Sequence, residues 1–293
     1  FMVLSFRMRI LIPVIVAVAI AFLATGIILY SIFNKEIDTS VKANAWNMSY
    51  RNSNIIVSNF EKLIRTSSTM AVSAAAMSGK DISREEMLQY IDTVLANNPE
   101  IFCAWIVWEQ NAFDGKDASY AGNTALGATE TGRFAPLVTR SSGKSLVSPG
   151  EGLESADWYQ QPLNTGKPYM TDPAEYDFGG TKAIAVTIAV PFRINGKIAG
   201  VAGVDVNVNY LADMFSKIKV FVNGYAFLLS KNLDVVAHPN PASVGRPSAV
   251  AGELRPYAAE NKEYFVERAS SATGITSYTF YSPVHVDEVD YTY

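Results

Sequence analysis

The pattern of hydrophobic and polar residues begins with a long apolar run near the N-terminus. Residues 10–34 read ILIPVIVAVAIAFLATGIILYSIFN and contain no charged side chain. About 20 apolar residues suffice to span a bilayer core, whereas a cleaved signal peptide has an apolar region of only about 7–15 residues. The pattern therefore predicts an uncleaved transmembrane helix over residues 10–33, with a signal peptide as the alternative.

Residues 34–78 predict one long helix outside the membrane, because residues 35–76 contain neither Pro nor Gly. Apolar or small side chains recur there at steps of three and four, at Ile56, Phe60, Leu63, Ser67, Met70 and Ala74. Such a stripe marks a buried helix face. It fits packing against a sheet of the same chain or against a second copy in a homodimer. A second helix is expected to start after Ser83, with Glu86 completing a capping box.

Aromatic and β-branched runs predict that strands dominate after residue 100. IFCAWIVWE (101–109) is the first such run, and a long loop follows it. Asn195-Gly196 between two apolar runs predicts a two-residue hairpin. Without a bulge, Asp205 lies opposite Val186, and Gly203 lies opposite Ile188. The missing side chain of the glycine is then expected to leave room beside the acid.

The composition and motif content of the chain exclude several classes of function. The net charge of −4 does not suit nucleic-acid binding. The single cysteine, Cys103, lies in an apolar run and is interpreted as a small buried hydrophobe. Motifs typical of serine hydrolases, P-loop proteins, zinc proteases and dinucleotide-binding enzymes are absent from the sequence. We therefore expect a non-enzymatic protein without metal or cofactor.

One polar–aromatic group stands out as a candidate ligand site. Its members are Trp105, Trp108, Trp158, Tyr159, Tyr176 and Asp205. A carboxylate among aromatic side chains needs a partner, and a ligand ammonium can be that partner, with added cation–π attraction. The alternative is equally compatible with composition: the aromatic residues are core anchors, and Asp205 binds loop amides.

Several segments together resemble the double-Cache sensor domain of bacterial chemoreceptors. They are WEQNAFDGKDASYAG, TGRFAPLVTR, DWYQQPLNTGKPYMTDP, GGTKAIAVTIAVPFRINGKIAGVAGVDV and GYAFLLSKNLDVVAHPNPASVG, in this order after the apolar run and long helix. The resemblance covers the chain from about residue 35 onward. It implies an α+β fold with two tandem PAS-like antiparallel-sheet modules. We predict a membrane-distal ligand-binding module at 79–212 and a membrane-proximal module at 213–293.

The resemblance also implies which residues contact a ligand. Amino-acid-binding members of the family use a Trp-Tyr pair and a strand Asp, which correspond to Trp158, Tyr159 and Asp205. Their carboxylate-binding Arg corresponds to Ala156, so this clamp is missing. Where many relatives carry an aromatic residue, this chain has Ala174, and Tyr176 or Asp177 must serve instead.

This departure shifts the expected ligand toward a cationic or neutral molecule, such as an amine or a nucleobase-like compound. Asp157 adds negative charge near the place of the missing Arg. Arg140 or Arg133 from the loop is the alternative anion partner, which keeps amino acids in consideration.

The predicted protein is the sensor region of a receptor in a bacterial inner membrane. Arg7 and Arg9 precede the span, which places residues 1–9 in the cytoplasm and the rest outside. We expect a homodimer that signals to cytoplasmic partners through a part beyond the given sequence. Alternatives are the same sensor on a histidine kinase or diguanylate cyclase, and a non-signalling binding or adhesion protein.

Overall fold

The N-terminal helix α1 spans Phe6–Met77 without interruption. The structure is a computed structural model that describes residues 6–141, 144–178, 180, 182–221, 224–269, 274, 276–286 and 291–292. The chain divides into two compact units, residues 1–50 and 51–293. In the first unit, α1 is long and apolar enough from Ile10 onward to cross a membrane, judged by length and composition. Its large apolar side chains are exposed there, as expected of a helix whose solvent is lipid.

In the second unit, α1 contributes its predicted stripe to the core. All six stripe residues, Ile56, Phe60, Leu63, Ser67, Met70 and Ala74, are at most 5% exposed. Helix α2 (Arg84–Asn97) packs into the same core through Met87, Ile91 and Leu95. The Ser83–Glu86 capping box is confirmed. The stripe therefore packs within the chain.

A seven-stranded antiparallel sheet is the centre of the second unit, counted over the described residues. Its strands are β1 (Cys103–Trp108), β2 (Pro136–Ser141), β3 (Lys144–Pro149), β4 (Tyr169–Met170), β5 (Ala174–Asp177), β6 (Lys182–Ile194) and β7 (Lys197–Asn207). The order is β3-β2-β1-β7-β6-β4, and β5 also pairs with β6. Side chains alternate between the faces of a strand, so one face meets α1 and α2. The other face meets α3 (Asp157–Thr165).

The predicted hairpin forms at Asn195-Gly196, but its predicted register is wrong. The pairs Arg193–Ile198 and Phe192–Gly200 leave Ala199 as an extra residue in β7. Beyond this bulge every pair is shifted by one position. Asp205 therefore lies opposite Thr187 and not Val186, and Gly203 lies opposite Ala189 and not Ile188.

The remainder of the chain forms shorter elements. Helix α4 (Val208–Ser216) follows β7 directly. Three two-stranded antiparallel pairs occur in the described part: β8 (Leu228–Leu229) with β9 (Val235–Ala237), β10 (Tyr264–Ala269) with β11 (Thr276–Tyr281), and β12 (His285–Val286) with β13 (Tyr291–Thr292). Helix α5 (Ala251–Ala259) packs on β8 and β9. These elements confirm the expected α+β class with two sets of strands.

Candidate ligand-binding site

Asp205 is buried near the middle of the sheet, on the face that meets α3. Its side chain is only 4% exposed. Trp105 Nε1–H donates to one carboxylate oxygen at 3.1 Å, and the Thr187 hydroxyl donates to the other at 2.5 Å. The bulge at Ala199 creates the second contact, because it aligns Thr187 with Asp205. A one-residue irregularity thus gives the acid a hydroxyl partner where the unbulged register offers valine.

The Trp105 indole occupies the space that Gly203 leaves by having no side chain, so the free space expected beside the acid is absent. The two residues pair across β1 and β7. A Cβ on Gly203 would lie 2.3 Å from Trp105 Cζ2 and 2.5 Å from the Ile188 carbonyl oxygen. The indole therefore lies across the glycine, and this close approach orients the ring N–H toward Asp205.

Helix α3 brings further aromatic side chains to the same face. Trp158 meets Trp105 edge to face, with ring centroids 4.7 Å apart. Trp158 also contacts Tyr159, with centroids at 5.9 Å. Burial raises the pKa of Tyr176, and hydrogen bonding with Thr171 and Thr187 partly offsets the rise. Trp158 and Tyr176 are both half-buried, and these two rings form the aromatic border of the face that carries Asp205.

The electrostatics of Asp205 are unusual for an acid. Burial raises its pKa from 3.8 to about 7, although hydrogen bonds from Thr187, Cys103 and Trp105 partly offset the rise. All three donors are neutral. Among the described residues, no lysine or arginine forms an ion pair with Asp205. A buried carboxylate with neutral donors and no counter-ion has a strong attraction for an incoming cation.

Tyr159 belongs to a separate polar network at the edge of this group. Its hydroxyl donates to Glu109 and accepts from Arg133. Arg133 also donates to Glu109 at 2.7 Å and to the Trp108 carbonyl at 2.6 Å. Burial, and then the hydrogen bond to Glu109, raise the pKa of Tyr159. Arg133 is thereby neutralised by an acid of its own chain.

Three of the predicted site residues lie away from Asp205. Trp108 is on the opposite face of β1, where it stacks on Phe134 at 4.9 Å and donates to Ser78. Arg140 donates to the Leu95 carbonyl at 2.5 Å, at the C-terminal end of α2. Asp177 is exposed and accepts from the Gly180 amide. The structure brings Trp105, Trp158, Tyr159 and Tyr176 to the face that carries Asp205.

Sequence reasoning missed several polar residues beside the acid. Thr187, Thr171 and Thr139 are all buried on this face or at its edge. Thr187 is the only polar residue in the run AIAVTIAV, and this isolation is the signal that marks it. Cys103 is buried as predicted, but it also pairs directly with Asp205 across the strands.

A second surface feature is a groove of about 320 Å³ between α1 and α2. Lys62, Arg65, Tyr90 and Asn98 are among its lining residues. None of the residues that line it belongs to the group around Asp205. Within the described residues, no group of three His, Cys, Asp or Glu side chains is placed to hold a metal ion.

The chain combines a sheet that carries a buried acid and an aromatic border with a long apolar helix at the N-terminus. This combination is the one expected of the class of sensor domains with an N-terminal membrane helix. Comparison with known proteins supports this class. Residues 87–213 match a family model described as the first PDC sensor domain of methyl-accepting chemotaxis protein-like proteins. The chain is 31% identical over 141 residues to the methyl-accepting chemotaxis protein TlpQ of Pseudomonas aeruginosa. That match covers 44% of this chain and only 20% of TlpQ.

Two solved structures extend the similarity to most of the chain. One is the extracellular domain of a protein described as a histidine kinase, mmHK1S-Z2, at 30% identity and a TM-score of 0.73. The match covers 86% of this chain and 95% of that domain. The other is a protein named methyl-accepting chemotaxis protein X, with a TM-score of 0.80 at 23% identity, covering 88% of this chain and 96% of the other. The chain belongs to the double-Cache family of sensor domains.

Proposed function

We propose that this chain is the extracytoplasmic ligand-sensing region of a methyl-accepting chemotaxis receptor in a bacterial inner membrane. The matched family model and the similarity to TlpQ support this assignment. The apolar part of α1 supports membrane attachment. The observation that supports ligand binding best is Asp205: it is buried, bonded to neutral donors and bordered by half-buried aromatic rings.

The ligand whose charge best suits Asp205 is a small cationic amine. An ammonium group compensates the Asp205 charge that burial disfavours. Nearby aromatic faces add about 0.5–2 kcal/mol of cation–π attraction. Burial is the main reason that the pKa values of Tyr169 and Tyr176 are raised, and the charge of Asp157 in the first turn of α3 adds to both rises. A second acid therefore lies near this border. Ala156 provides no guanidinium for a ligand carboxylate.

Arginines elsewhere do not replace the missing clamp. Arg133 is already paired with Glu109 and Tyr159, and Arg140 binds the end of α2. A bidentate guanidinium–carboxylate pair is the strongest contact in amino-acid recognition. Because both candidate guanidinium groups are engaged, we infer that α-carboxylates bind poorly compared with amines.

We infer that binding is transmitted through β6 to α1. Thr187 faces the site and the next residue, Ile188, faces α1. The Ser67 hydroxyl of α1 approaches the Ile188 carbonyl at 3.5 Å. A homodimer that passes this change to cytoplasmic partners must use another face of α1, where Ile55 and Val72 are exposed.

Calorimetric titration of the 293-residue chain in detergent micelles tests the ligand class. The titrants are a primary alkylamine, its neutral alcohol analogue, an α-amino acid and the ester of that amino acid. We expect the amine to bind, the alcohol to bind at least tenfold more weakly, and Asp205→Asn to remove the difference. Binding of the amino acid that esterification abolishes would contradict the amine assignment.

A second candidate function is the sensor of a histidine kinase, which the similarity to mmHK1S-Z2 favours. The sensor chemistry is the same in both cases, so the site does not discriminate. The cytoplasmic part encoded by the same gene distinguishes the two functions. A long charged heptad hairpin with Glu and Gln pairs indicates a chemotaxis receptor, whereas an H-box indicates a kinase.

A further inference from the structure

A row of buried polar side chains crosses the sheet beneath the aromatic border. Thr139, Cys103, Asp205 and Thr187 lie side by side on β2, β1, β7 and β6, because each is the direct pairing partner of the next. Thr171 extends the row, since its hydroxyl accepts from the Thr187 amide at 3.0 Å. In a sheet core that is otherwise apolar on this face, such a row needs a hydrogen-bonding role.

Cys103 is the link between the two ends of the row. The Thr139 hydroxyl donates to Cys103 Sγ at 3.4 Å. The sulfur is therefore an acceptor toward Thr139, and its own S–H is available to a different partner. Asp205 lies directly opposite Cys103 across β1 and β7, and hydrogen bonding from Cys103 is among the influences that lower the pKa of this acid. An ionised carboxylate only accepts hydrogen bonds, so a bond between the two side chains runs from the S–H to the carboxylate oxygen.

We propose that Cys103 is a positioning residue for Asp205, whose thiol hydrogen bond holds the carboxylate in its ligand-facing orientation. The role rests on the proposed function of Asp205 as the ligand contact. Trp105 and Thr187 approach the carboxylate from β1 and β6. The thiol comes from the position directly opposite on β1. The three donors together fix the carboxylate plane before a ligand arrives.

The competing interpretation is that Cys103 only fills space. It is fully buried, and small buried hydrophobes at such positions are common. The two roles differ in what substitution does. Space filling tolerates Ala with a small loss of stability and gains nothing from Ser. Positioning requires a donor, so Cys103→Ser retains it and Cys103→Ala does not.

The sole cysteine makes a direct spectroscopic test possible. Because the chain contains one Cys, its infrared S–H stretching band belongs to Cys103 alone. We expect this band to move to lower frequency as Asp205 ionises, since a carboxylate is a stronger acceptor than a carboxylic acid. Burial raises the pKa values of Cys103 and of Tyr176, so both neighbours stay protonated through the transition of Asp205.

The experiment records the band in the ligand-free 293-residue chain between pH 5 and 9, with Asp205→Asn as the matched control. A pH-dependent shift that the control abolishes supports the proposal. A band that is the same at every pH and in the control overturns it. This outcome does not depend on any ligand, so it is separate from the test of the proposed function.

Ligand titration of Cys103 variants with a primary alkylamine completes the test. We expect Cys103→Ala to weaken binding by about tenfold, the effect of losing one hydrogen bond to a charged group, and Cys103→Ser to stay within about twofold of the native chain. Equal affinity of the Ala and Ser variants would overturn the positioning role. Failure of the native chain itself to bind the amine would overturn the proposed function while the infrared shift still supports the bond to Asp205.

Discussion

Replacing Asp205 by Asn is the most informative perturbation of this protein. The substitution keeps the size of the side chain and removes its charge. Asp205 is 4% exposed and receives hydrogen bonds from neutral groups only. Its ionisation in the folded protein is therefore opposed by burial, and folding stability must depend on pH through this group.

The expected magnitude follows from the pKa. Burial raises the pKa of Asp205 from 3.8 to about 7, a shift of roughly 3 pH units. At 1.36 kcal/mol per unit, this corresponds to about 4 kcal/mol. Because the folded pKa is the higher one, the stabilising contribution is complete below about pH 4. It decreases as the pH rises to about 7 and is constant above that.

Asn cannot ionise, so the free energy of unfolding of the variant does not decrease with pH through this position. Its amide group also faces Thr187 and Trp105, which are both donors to Asp205, and the mismatch costs about 1–3 kcal/mol at every pH. By pH 5 the native chain has already lost roughly 1.6 of these 4 kcal/mol, so we expect Asp205→Asn to be at most about 1.5 kcal/mol less stable than the native chain at that pH. The difference should shrink as pH rises and should reverse or vanish at pH 8.

Urea unfolding of the native chain and the variant in micelles, at pH 5, 6, 7 and 8, measures this trend. Asp157→Asn is the matched control, because Asp157 is an exposed acid next to the same border, and its variant should follow the native pH profile. A stability difference between Asp205→Asn and native chain that does not change with pH would refute the reasoning. A difference that grows with pH would refute it as well.

Three other predictions concern the affinity for a cation, the packing at Gly203 and the cap of α2. Affinity for a permanently charged quaternary amine should rise about tenfold per pH unit up to about pH 7, where Asp205 ionises, and then level off; calorimetry at four pH values checks this, and a flat profile contradicts it. Gly203→Ala should destabilise the chain by about 1–3 kcal/mol in urea unfolding, because its Cβ meets Trp105, whereas Gly252→Ala, with open space around it, should be neutral or stabilising. Ser83→Ala should cost about 1 kcal/mol through loss of the capping box, and an unchanged urea midpoint would contradict that role.

The elements that local patterns determine were predictable from the sequence. The stripe from Ile56 to Ala74 repeats with helical period, and all of it is buried. The Ser83 cap and the Asn195-Gly196 turn depend on a few neighbouring residues. In these cases the interactions that fix the structure are close in sequence, so the pattern contains them.

The register of the hairpin was not predictable in this way. A bulge adds one residue to one strand, and nothing in the run KIAGVAGVDV marks Ala199 as that residue. Its consequence is large, because it exchanges Val186 for Thr187 beside Asp205. The position of Arg140 also depends on distant contacts, in this case with the end of α2.

The sequence itself separates Trp105 from Trp108. The two residues are three positions apart in one strand, and side chains an odd number apart point to opposite faces. Trp105 accordingly faces Asp205, and Trp108 faces the helices. Parity along a strand therefore separates site residues from core residues, even when their chemistry is identical.

The cost of burying Asp205 and its proposed attraction for a cationic ligand have the same physical origin. A counter-ion from the chain itself would stabilise the ligand-free protein and remove the attraction for an external cation. Leaving the acid with neutral donors makes the ligand-free state less stable at neutral pH, and a bound cation then recovers part of that stability. The charge of a ligand should consequently affect its binding more than its shape does. At pH 8, an ammonium compound should raise the unfolding midpoint more than its neutral isostere. In Asp205→Asn, the two compounds should raise the midpoint equally.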